Sequence, residues 1–194
     1  DCIVFGAVND VVTAEKGSRL SDLMEKYPKS GLIQSVNDNS NRNFLKSIKE
    51  SAEFIKNCFG NIPSTAVILG TGLGKLADDI KDQEIINYSD IPNFPVSTVE
   101  GHSGKLILGK LGDSPILAMQ GRFHFYEGYD MKMVTFPIRV MHELGIKRLF
   151  VSNAAGGMNP NFKIGDLMVI SDHINLFPEH PLRGRNIEEH GVRF

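Results

Sequence analysis

The sequence has little of what marks secreted, membrane or nucleic-acid-binding proteins. It has only two cysteines, Cys2 and Cys58, which form neither a disulfide framework nor the spacing of a metal site. No apolar run approaches the length of a membrane span, and no charged leader precedes an apolar segment. The formal net charge is -2 with scattered lysines and arginines, so no basic surface for nucleic acid is indicated. We therefore expect a cytoplasmic protein without a membrane or nucleic-acid partner.

The first part of the chain differs in character from the rest. Residues 1–34 carry no informative motif, and residues 35–43 have the composition of a polar linker. Apolar residues then recur at steps of three and four and predict an amphipathic helix over residues 43–58; they are Phe44, Ile48, Ala52, Ile55 and Phe59. With 194 residues, 41% of them hydrophobic, the chain can bury one sizeable core. We divide it into an extension with its linker, residues 1–42, and one domain, residues 43–194.

A continuous apolar run at residues 65–69 predicts a buried strand that ends in a glycine-rich loop, residues 70–74. The loop is not a dinucleotide fingerprint, because Lys75 stands where a third glycine is needed. It is not a Walker A loop either, because Leu76 follows that lysine. What remains is a turn whose N–H groups, together with the Thr71 hydroxyl, can face a small anion. A tight turn from strand to helix, without any ligand, explains the same glycines equally well.

Arg122, His124 and Tyr126 alternate along the chain directly after another apolar run that predicts a strand. If the backbone stays extended, all three side chains leave the same face. They offer a planar fork of donors, a titratable imidazole and a phenol, which together suit an anion beside a hydroxyl-rich group. The alternative interpretation is a polar loop rim, with Phe123 and Phe125 pointing into the core.

Small residues follow a further predicted strand, residues 148–152. The sequence there reads Asn-Ala-Ala-Gly-Gly over residues 153–157, which leaves room for a flat ligand to approach the backbone. Open α/β sheets bind ligands at this end of their strands. His102 lies in another glycine-containing loop, Gly-His-Ser-Gly, where a histidine is more often an exposed loop residue than a ligand.

The remaining patterns predict ordinary structural elements. We expect a hairpin over residues 106–118 and a helix over residues 135–144, capped by Thr135 and with a proline in its first turn. Two prolines predict an extended segment at residues 90–95, and residues 166–171 predict another strand. The side chains of the second helix expected to face the core are Phe136, Val140, Met141 and Leu144.

Seven blocks of this sequence, in unbroken order within residues 43–194, resemble the trimeric purine nucleoside phosphorylases. The blocks are Gly-Thr-Gly-Leu-Gly at 70–74, Ile-Pro-Asn-Phe-Pro at 91–95, Gly-His-Ser-Gly at 101–104, Gln-Gly-Arg-Phe-His-Phe-Tyr-Glu-Gly-Tyr at 120–129, Val-Thr-Phe-Pro-Ile-Arg-Val at 134–140, Ser-Asn-Ala-Ala-Gly-Gly at 152–157 and Asp-His-Ile-Asn-Leu at 172–176.

The resemblance implies a single α/β domain with a mixed central β-sheet flanked by helices. It also implies a C-terminal part that this sequence lacks, where the family reads the purine ring. The implied reaction is phosphorolysis of inosine- or guanosine-type nucleosides to free purine and ribose 1-phosphate, carried out by a cytoplasmic homotrimer. A phosphate dianion would stabilise the oxocarbenium-like sugar, so inorganic phosphate is a co-substrate and no metal or other cofactor is required.

By the same resemblance, Arg122 and His124 are the catalytic residues. The phosphate-binding residues would be Thr71, His102, Arg122, His124 and Ala154. The nucleoside-binding residues would be Tyr126, Ala154, Ala155, Gly156 and Phe194. Of these, Phe194 would reach into the nucleoside pocket of the neighbouring subunit.

Two alternatives stay open at this point. A methylthioadenosine phosphorylase-like enzyme shares the implied fold and phosphate site, although residues 91–104 and 120–129 resemble that family less. A truncated, non-catalytic module that binds phosphate or a nucleoside is the second alternative. The choice between 6-oxo and 6-amino purines also stays open, because the discriminating residues lie outside this sequence.

Overall fold

The computed structural model describes residues 31–70, 74–96, 104–184 and 186–192, with side chains from residue 41 onward. The compact unit considered below is Arg42–Phe194. Thr71, His102 and Phe194, three of the predicted site residues, lie outside the described residues. None of the described helices is long and apolar enough to cross a membrane. The division of the chain at residue 42 stays a prediction.

The first described helix, α1, is Gly31–Phe59. It begins well before residue 43, so the prediction of a polar linker over residues 35–43 is wrong and that segment is helical. The segment from residue 32 to residue 59 has no glycine or proline, and its serines and asparagines disfavour a helix only weakly. The apolar stripe predicted for this helix is confirmed, because Ile48, Ala52 and Ile55 are almost fully buried.

Five strands form one mixed sheet in the order β2-β3-β4-β1-β5. The strands are β1 Thr65–Leu69, β2 Lys81–Asn87, β3 Lys105–Leu111, β4 Ser114–Gln120 and β5 Arg148–Val151. Strand β1 lies between β4 and β5 and pairs in parallel with both, whereas β3 pairs antiparallel with β2 and with β4. The predicted mixed sheet, the strand at residues 65–69 and the hairpin over residues 106–118 are confirmed. The hairpin turns through two residues, of which Gly112 has a φ of +61°.

The second described helix, α2, is Met131–Glu143 and begins earlier than predicted. Its N-cap is Asp130, whose carboxylate accepts a hydrogen bond from the Met133 N–H at 2.8 Å. Thr135 is therefore not the cap, and its hydroxyl instead donates to the Met131 carbonyl. The prediction was wrong because it placed Pro137 in the first turn, and the helix tolerates that proline one turn later.

Two further predictions of secondary structure are wrong. Residues 90–95 are not extended, since Tyr88–Asp90 is a single 3₁₀ turn and Asn93, with a φ of +61°, forms a second turn that buries Phe94. Residues 166–171 form no strand, because within the described residues their backbone pairs with no neighbouring strand. Strand β2 was not predicted, since its sequence is polar and its pairing with β3 has a register shift near Asp82.

The core has two parts, one on each face of the sheet. Helices α1 and α2 contribute to the larger part, where Phe136 packs edge-on against Phe44 and Phe94. The smaller part lies under the 3₁₀ segment Gly74–Asp79, which buries Ala77. The predicted core residues of α2 are confirmed as buried; they are Phe136, Val140, Met141 and Leu144. These layers fix the ends of the parallel strands, where the candidate site lies.

Candidate active site

The carboxyl ends of the three parallel strands meet at one place. Strand β1 ends beside Gly70, β4 leads to Arg122, and β5 leads to Ser152. The Arg122 guanidinium donates from Nη1 to the Ser152 carbonyl oxygen at 2.8 Å. The Ser152 hydroxyl donates to the Ile68 carbonyl oxygen and accepts from the Gly70 N–H, each at 3.2 Å. These three bonds hold the ends of the strands together around one arginine.

Gly70 is glycine because two groups approach it closely. A Cβ atom at this position would lie 2.1 Å from the Ser152 carbonyl oxygen and 3.2 Å from Nη1 of Arg122. The first distance is shorter than any stable contact, and its partner is a main-chain atom that cannot rotate away. The Gly70 backbone therefore lies directly against the Arg122 side chain, an approach that only glycine allows.

Arg122, His124 and Tyr126 lie together, although Tyr126 is in a 3₁₀ turn and not on the extended backbone that the prediction assumed. Arg122 donates from Nε to Nε2 of His124 at 3.4 Å, and the His124 ring stacks on the Tyr126 ring with 4.8 Å between centroids. A guanidinium has no acceptor, so His124 accepts at Nε2 and holds its proton on Nδ1 in this arrangement. That Nδ1–H remains available as a donor. The backbone is extended at His124 and then forms a 3₁₀ turn, Phe125–Glu127.

The aromatic residues between these polar side chains anchor the segment. Phe123 is buried, as the alternative interpretation of this segment expected, and its ring contacts the rings of Tyr88, Phe94 and Tyr129. Phe125 is only half-buried and packs edge-on against Phe177. The alternation thus separates an anchoring face from a face that carries the arginine, the histidine and the phenol.

The other predicted site residues are more exposed. Tyr126 is 82% exposed, and Ala154, Ala155 and Gly156 leave the same end of β5 as an exposed chain. A side chain at Gly156 would meet nothing within 4 Å. The structure brings Arg122, His124 and Tyr126 into one cluster and starts the alanine and glycine segment beside it. The roles assigned to all these residues stay predictions.

Two residues that support the cluster were not predicted: Ser152 bonds to Arg122, and Tyr88 bonds to the residue before it. The sequence could have predicted Ser152, because a hydroxyl residue at the end of a strand next to a run of small residues can bridge neighbouring strands. It could not have predicted Tyr88, because this residue lies in a polar stretch and its contacts are with residues distant in sequence. Tyr88 is almost fully buried and donates from Oη to the Gly121 carbonyl oxygen at 2.7 Å.

A second group of titratable side chains lies away from the cluster, where Arg139 of α2 meets His190. The Arg139 guanidinium contacts Nδ1 of His190 and donates to the Pro181 carbonyl oxygen, and it also stacks over the Phe44 ring. Burial lowers the pKa of Arg139. Burial is also the main cause that lowers the pKa of His190, followed by the charges of Arg139 and His142. His190 must therefore be neutral to accept from the arginine.

Acidification should weaken this contact. The pKa of His190 is lower in the folded chain than its ordinary value of 6.5, although Glu143 and Glu189 partly oppose the shift. The unfolded chain therefore binds the proton first, so the stabilisation is complete above pH 6.5 and declines as the pH falls below that value. We expect amide hydrogen exchange in residues 187–191 to accelerate below pH 6.5 relative to α1. His190→Gln, which keeps an acceptor but does not titrate, should abolish this pH dependence, and a pH profile that persists in that variant would contradict the assignment.

Comparison with known proteins gives a consistent result. The model of the phosphorylase superfamily matches residues 64–194. The chain is 55% identical to purine nucleoside phosphorylase 1 of Geobacillus stearothermophilus over 148 residues, which are 76% of this chain and 54% of that protein. It is 56% identical to the purine nucleoside phosphorylase of Mus musculus over 135 residues, which are 68% of this chain and 47% of that protein.

Among solved structures, the purine nucleoside phosphorylase of Schistosoma mansoni in complex with inosine superposes with a TM-score of 0.71. The sequences are 47% identical, and the match covers 77% of this chain and 53% of that structure. The chain thus spans about half the length of the curated relatives that it matches.

Proposed function

The chain belongs to the phosphorylase superfamily, among the purine nucleoside phosphorylases, and from this premise we propose that the full-length protein is a purine nucleoside phosphorylase. It cleaves the bond between C1′ of the ribose and N9 of the purine. An oxygen of inorganic phosphate forms the new bond to C1′, and the products are the free base and ribose 1-phosphate. The observation that carries the proposal is the cluster of Arg122, His124 and Ser152 against Gly70, at the carboxyl ends of parallel strands.

The proposed phosphate site uses N–H donors that the hydrogen bonds within the cluster do not occupy. Arg122 donates one Nη1 proton to Ser152 and its Nε–H to His124. The remaining guanidinium protons can donate to a phosphate. The Nδ1–H of His124 adds a neutral donor. We propose that Thr71, His102 and the Ala154 amide complete this site. The bound dianion would stabilise the positive charge that develops on the sugar as the base departs.

The proposed nucleoside site continues from the phosphate site. Tyr126 presents an exposed phenol stacked on His124, which suits contact with a ribose hydroxyl. Ala154, Ala155 and Gly156 would lie beside the base, because their small side chains leave the backbone accessible. The support for a nucleoside as substrate is the inosine complex of the related S. mansoni enzyme.

We extend the proposal to the assembly and its surroundings. The full-length protein is a cytoplasmic homotrimer whose sites lie at subunit interfaces, and Phe194 of one subunit covers the nucleoside of the next. It uses phosphate as a co-substrate and no metal or other cofactor. This part rests on the sequence blocks at residues 120–129 and 152–157 that resemble the trimeric enzymes.

Phosphate dependence is the direct test of the reaction. We expect the full-length protein to convert inosine or guanosine to the free purine when phosphate is present, and to lose this activity in phosphate-free buffer. Equal turnover without phosphate would indicate a hydrolase and would overturn the proposal. Preference for methylthioadenosine, or binding of phosphate without turnover of any nucleoside, would instead support one of the two alternatives. Comparing inosine with adenosine in the same assay determines which purine is used.

A further inference from the structure

The positions of two glycines depend on one buried tyrosine. The Tyr88 phenol donates to the Gly121 carbonyl oxygen at 2.7 Å, and the Tyr88 N–H donates to the Gly104 carbonyl oxygen at 3.0 Å. Gly121 directly precedes Arg122 and has a φ of +97°. Gly104 follows His102 by two residues in the sequence. The side chain of Tyr88 thus holds the peptide next to Arg122, while its main chain bonds to Gly104.

The tyrosine ring also lies in close contact with the two glycines. A Cβ atom at Gly104 would lie 2.1 Å from Cε2 of Tyr88, and a Cβ atom at Gly121 would lie 3.2 Å from the Gly104 Cα. The two glycine backbones thus lie close to each other and to the ring. On its other sides the ring packs against Phe94 and Phe123, with centroids 5.1 and 5.5 Å away. The ring is therefore packed on several sides, which fixes the position of its phenol oxygen beside the Gly121 carbonyl.

The phenol is a permanent donor. Burial raises the pKa of Tyr88 well above its ordinary value, so the phenol is protonated and able to donate at neutral pH. Its partner is the carbonyl of Gly121, a residue with a positive φ. This carbonyl could rotate away if the bond were lost. The peptide unit that this carbonyl belongs to leads directly into the Arg122 Cα, and a rotation there would move the guanidinium from the Ser152 carbonyl.

We infer that Tyr88 is a positioning residue for phosphate: it fixes the Gly121 peptide and thereby aims Arg122 at the anion. This inference rests on the proposed function, since it names what holds the same site in place. Tyr88 itself does not touch the substrate. It lies beneath the site, inside the aromatic cluster, and acts only through main-chain atoms.

The test is Tyr88→Phe in the full-length protein, because phenylalanine keeps the ring and removes only the phenol oxygen. We expect the KM for phosphate to rise roughly twofold to tenfold, the range set by one neutral hydrogen bond. The KM for inosine and the kcat at saturating phosphate should change little. A crystal structure of the variant should show a longer distance between Nη1 of Arg122 and the Ser152 carbonyl oxygen.

Ser51→Ala is the matched control. The Ser51 hydroxyl is also fully buried and also donates to a main-chain carbonyl, that of Pro92, but it lies on α1. This variant should lose a similar amount of thermal stability and keep the phosphate KM of the wild type. Equal phosphate KM values in Tyr88→Phe and wild type, or an equal rise in both variants, would overturn the inference.

The two failures can be told apart. If the wild-type protein consumes no nucleoside with phosphate, the proposed function fails. If the wild-type protein is active and Tyr88→Phe leaves both the phosphate KM and the arginine geometry unchanged, only the positioning role fails.

Discussion

Replacing Arg122 by lysine should lower the kcat/KM for phosphate by roughly tenfold to a hundredfold in the full-length protein. The lysine keeps the positive charge but loses the planar fork, and it cannot contact Ser152, His124 and a phosphate together. Losing one charge-assisted hydrogen bond costs about 1.5–3 kcal/mol, which gives this range of rates. Initial rates at varied phosphate and saturating inosine measure the effect.

The opposite end of the sheet offers a matched control for this substitution. Arg148 begins β5 and donates to the hydroxyls of Thr65 and Ser64 at distances of 3.1 and 3.2 Å. It is an arginine of the same sheet that also uses its guanidinium on neighbouring oxygens, but far from the candidate site. Arg148→Lys should leave the phosphate kinetics unchanged. If Arg122→Lys behaves in the same way while it stays folded, Arg122 does not bind phosphate.

Gly70→Ala should have the largest effect on stability. Its Cβ would lie 2.1 Å from the Ser152 carbonyl oxygen and 2.8 Å from the carbonyl carbon, so the ends of β1 and β5 must separate. Overpacking costs about 1–3 kcal/mol, and we expect the upper end because a main-chain obstacle cannot rotate away. The free energy of unfolding in urea should fall by about that amount, and the phosphate activity should fall with it because Arg122 shares the Ser152 carbonyl.

Gly74→Ala tests whether the effect is specific. Gly74 belongs to the same loop, yet a Cβ at this position would meet nothing within 4 Å, and it begins a 3₁₀ segment that alanine can join. Its urea midpoint should match that of the wild type. A loss of stability as large in Gly74→Ala as in Gly70→Ala would show that the loop needs glycine for its flexibility and not for the close approach of Ser152.

The sequence predicted elements best where the pattern was local. The apolar run of β1 and the hairpin of β3 and β4 are confirmed, since each is specified by its own residues or by a short turn. Strand β2 was not predicted, because its polar sequence forms a strand only by pairing with β3. The strand predicted at residues 166–171 failed for the converse reason, since apolar residues alone do not supply a pairing partner.

The candidate site divides in the same way. The contact of Arg122 with His124 follows from alternate spacing, since the backbone is extended at His124, so it could be predicted. Tyr126 lies in a 3₁₀ turn and joins them by stacking on His124, which alternation does not predict. The bonds from Ser152 to Gly70 and from Tyr88 to Gly121 join residues 82 and 33 positions apart. The periodicity of the sequence cannot predict a hydrogen bond between residues so far apart. These supporting residues become visible only when the sheet order is known.

The glycines around the site differ in how freely the protein could change them in evolution. The obstacle at Gly70 is the carbonyl of Ser152, which every amino acid possesses, so no replacement of a neighbouring side chain can make room for a larger residue. The obstacle at Gly104 is the ring of Tyr88, which a smaller residue at position 88 would remove. Position 70 is therefore fixed by the backbone alone. Positions 88 and 104 form an epistatic pair, in which each residue limits what the other can become.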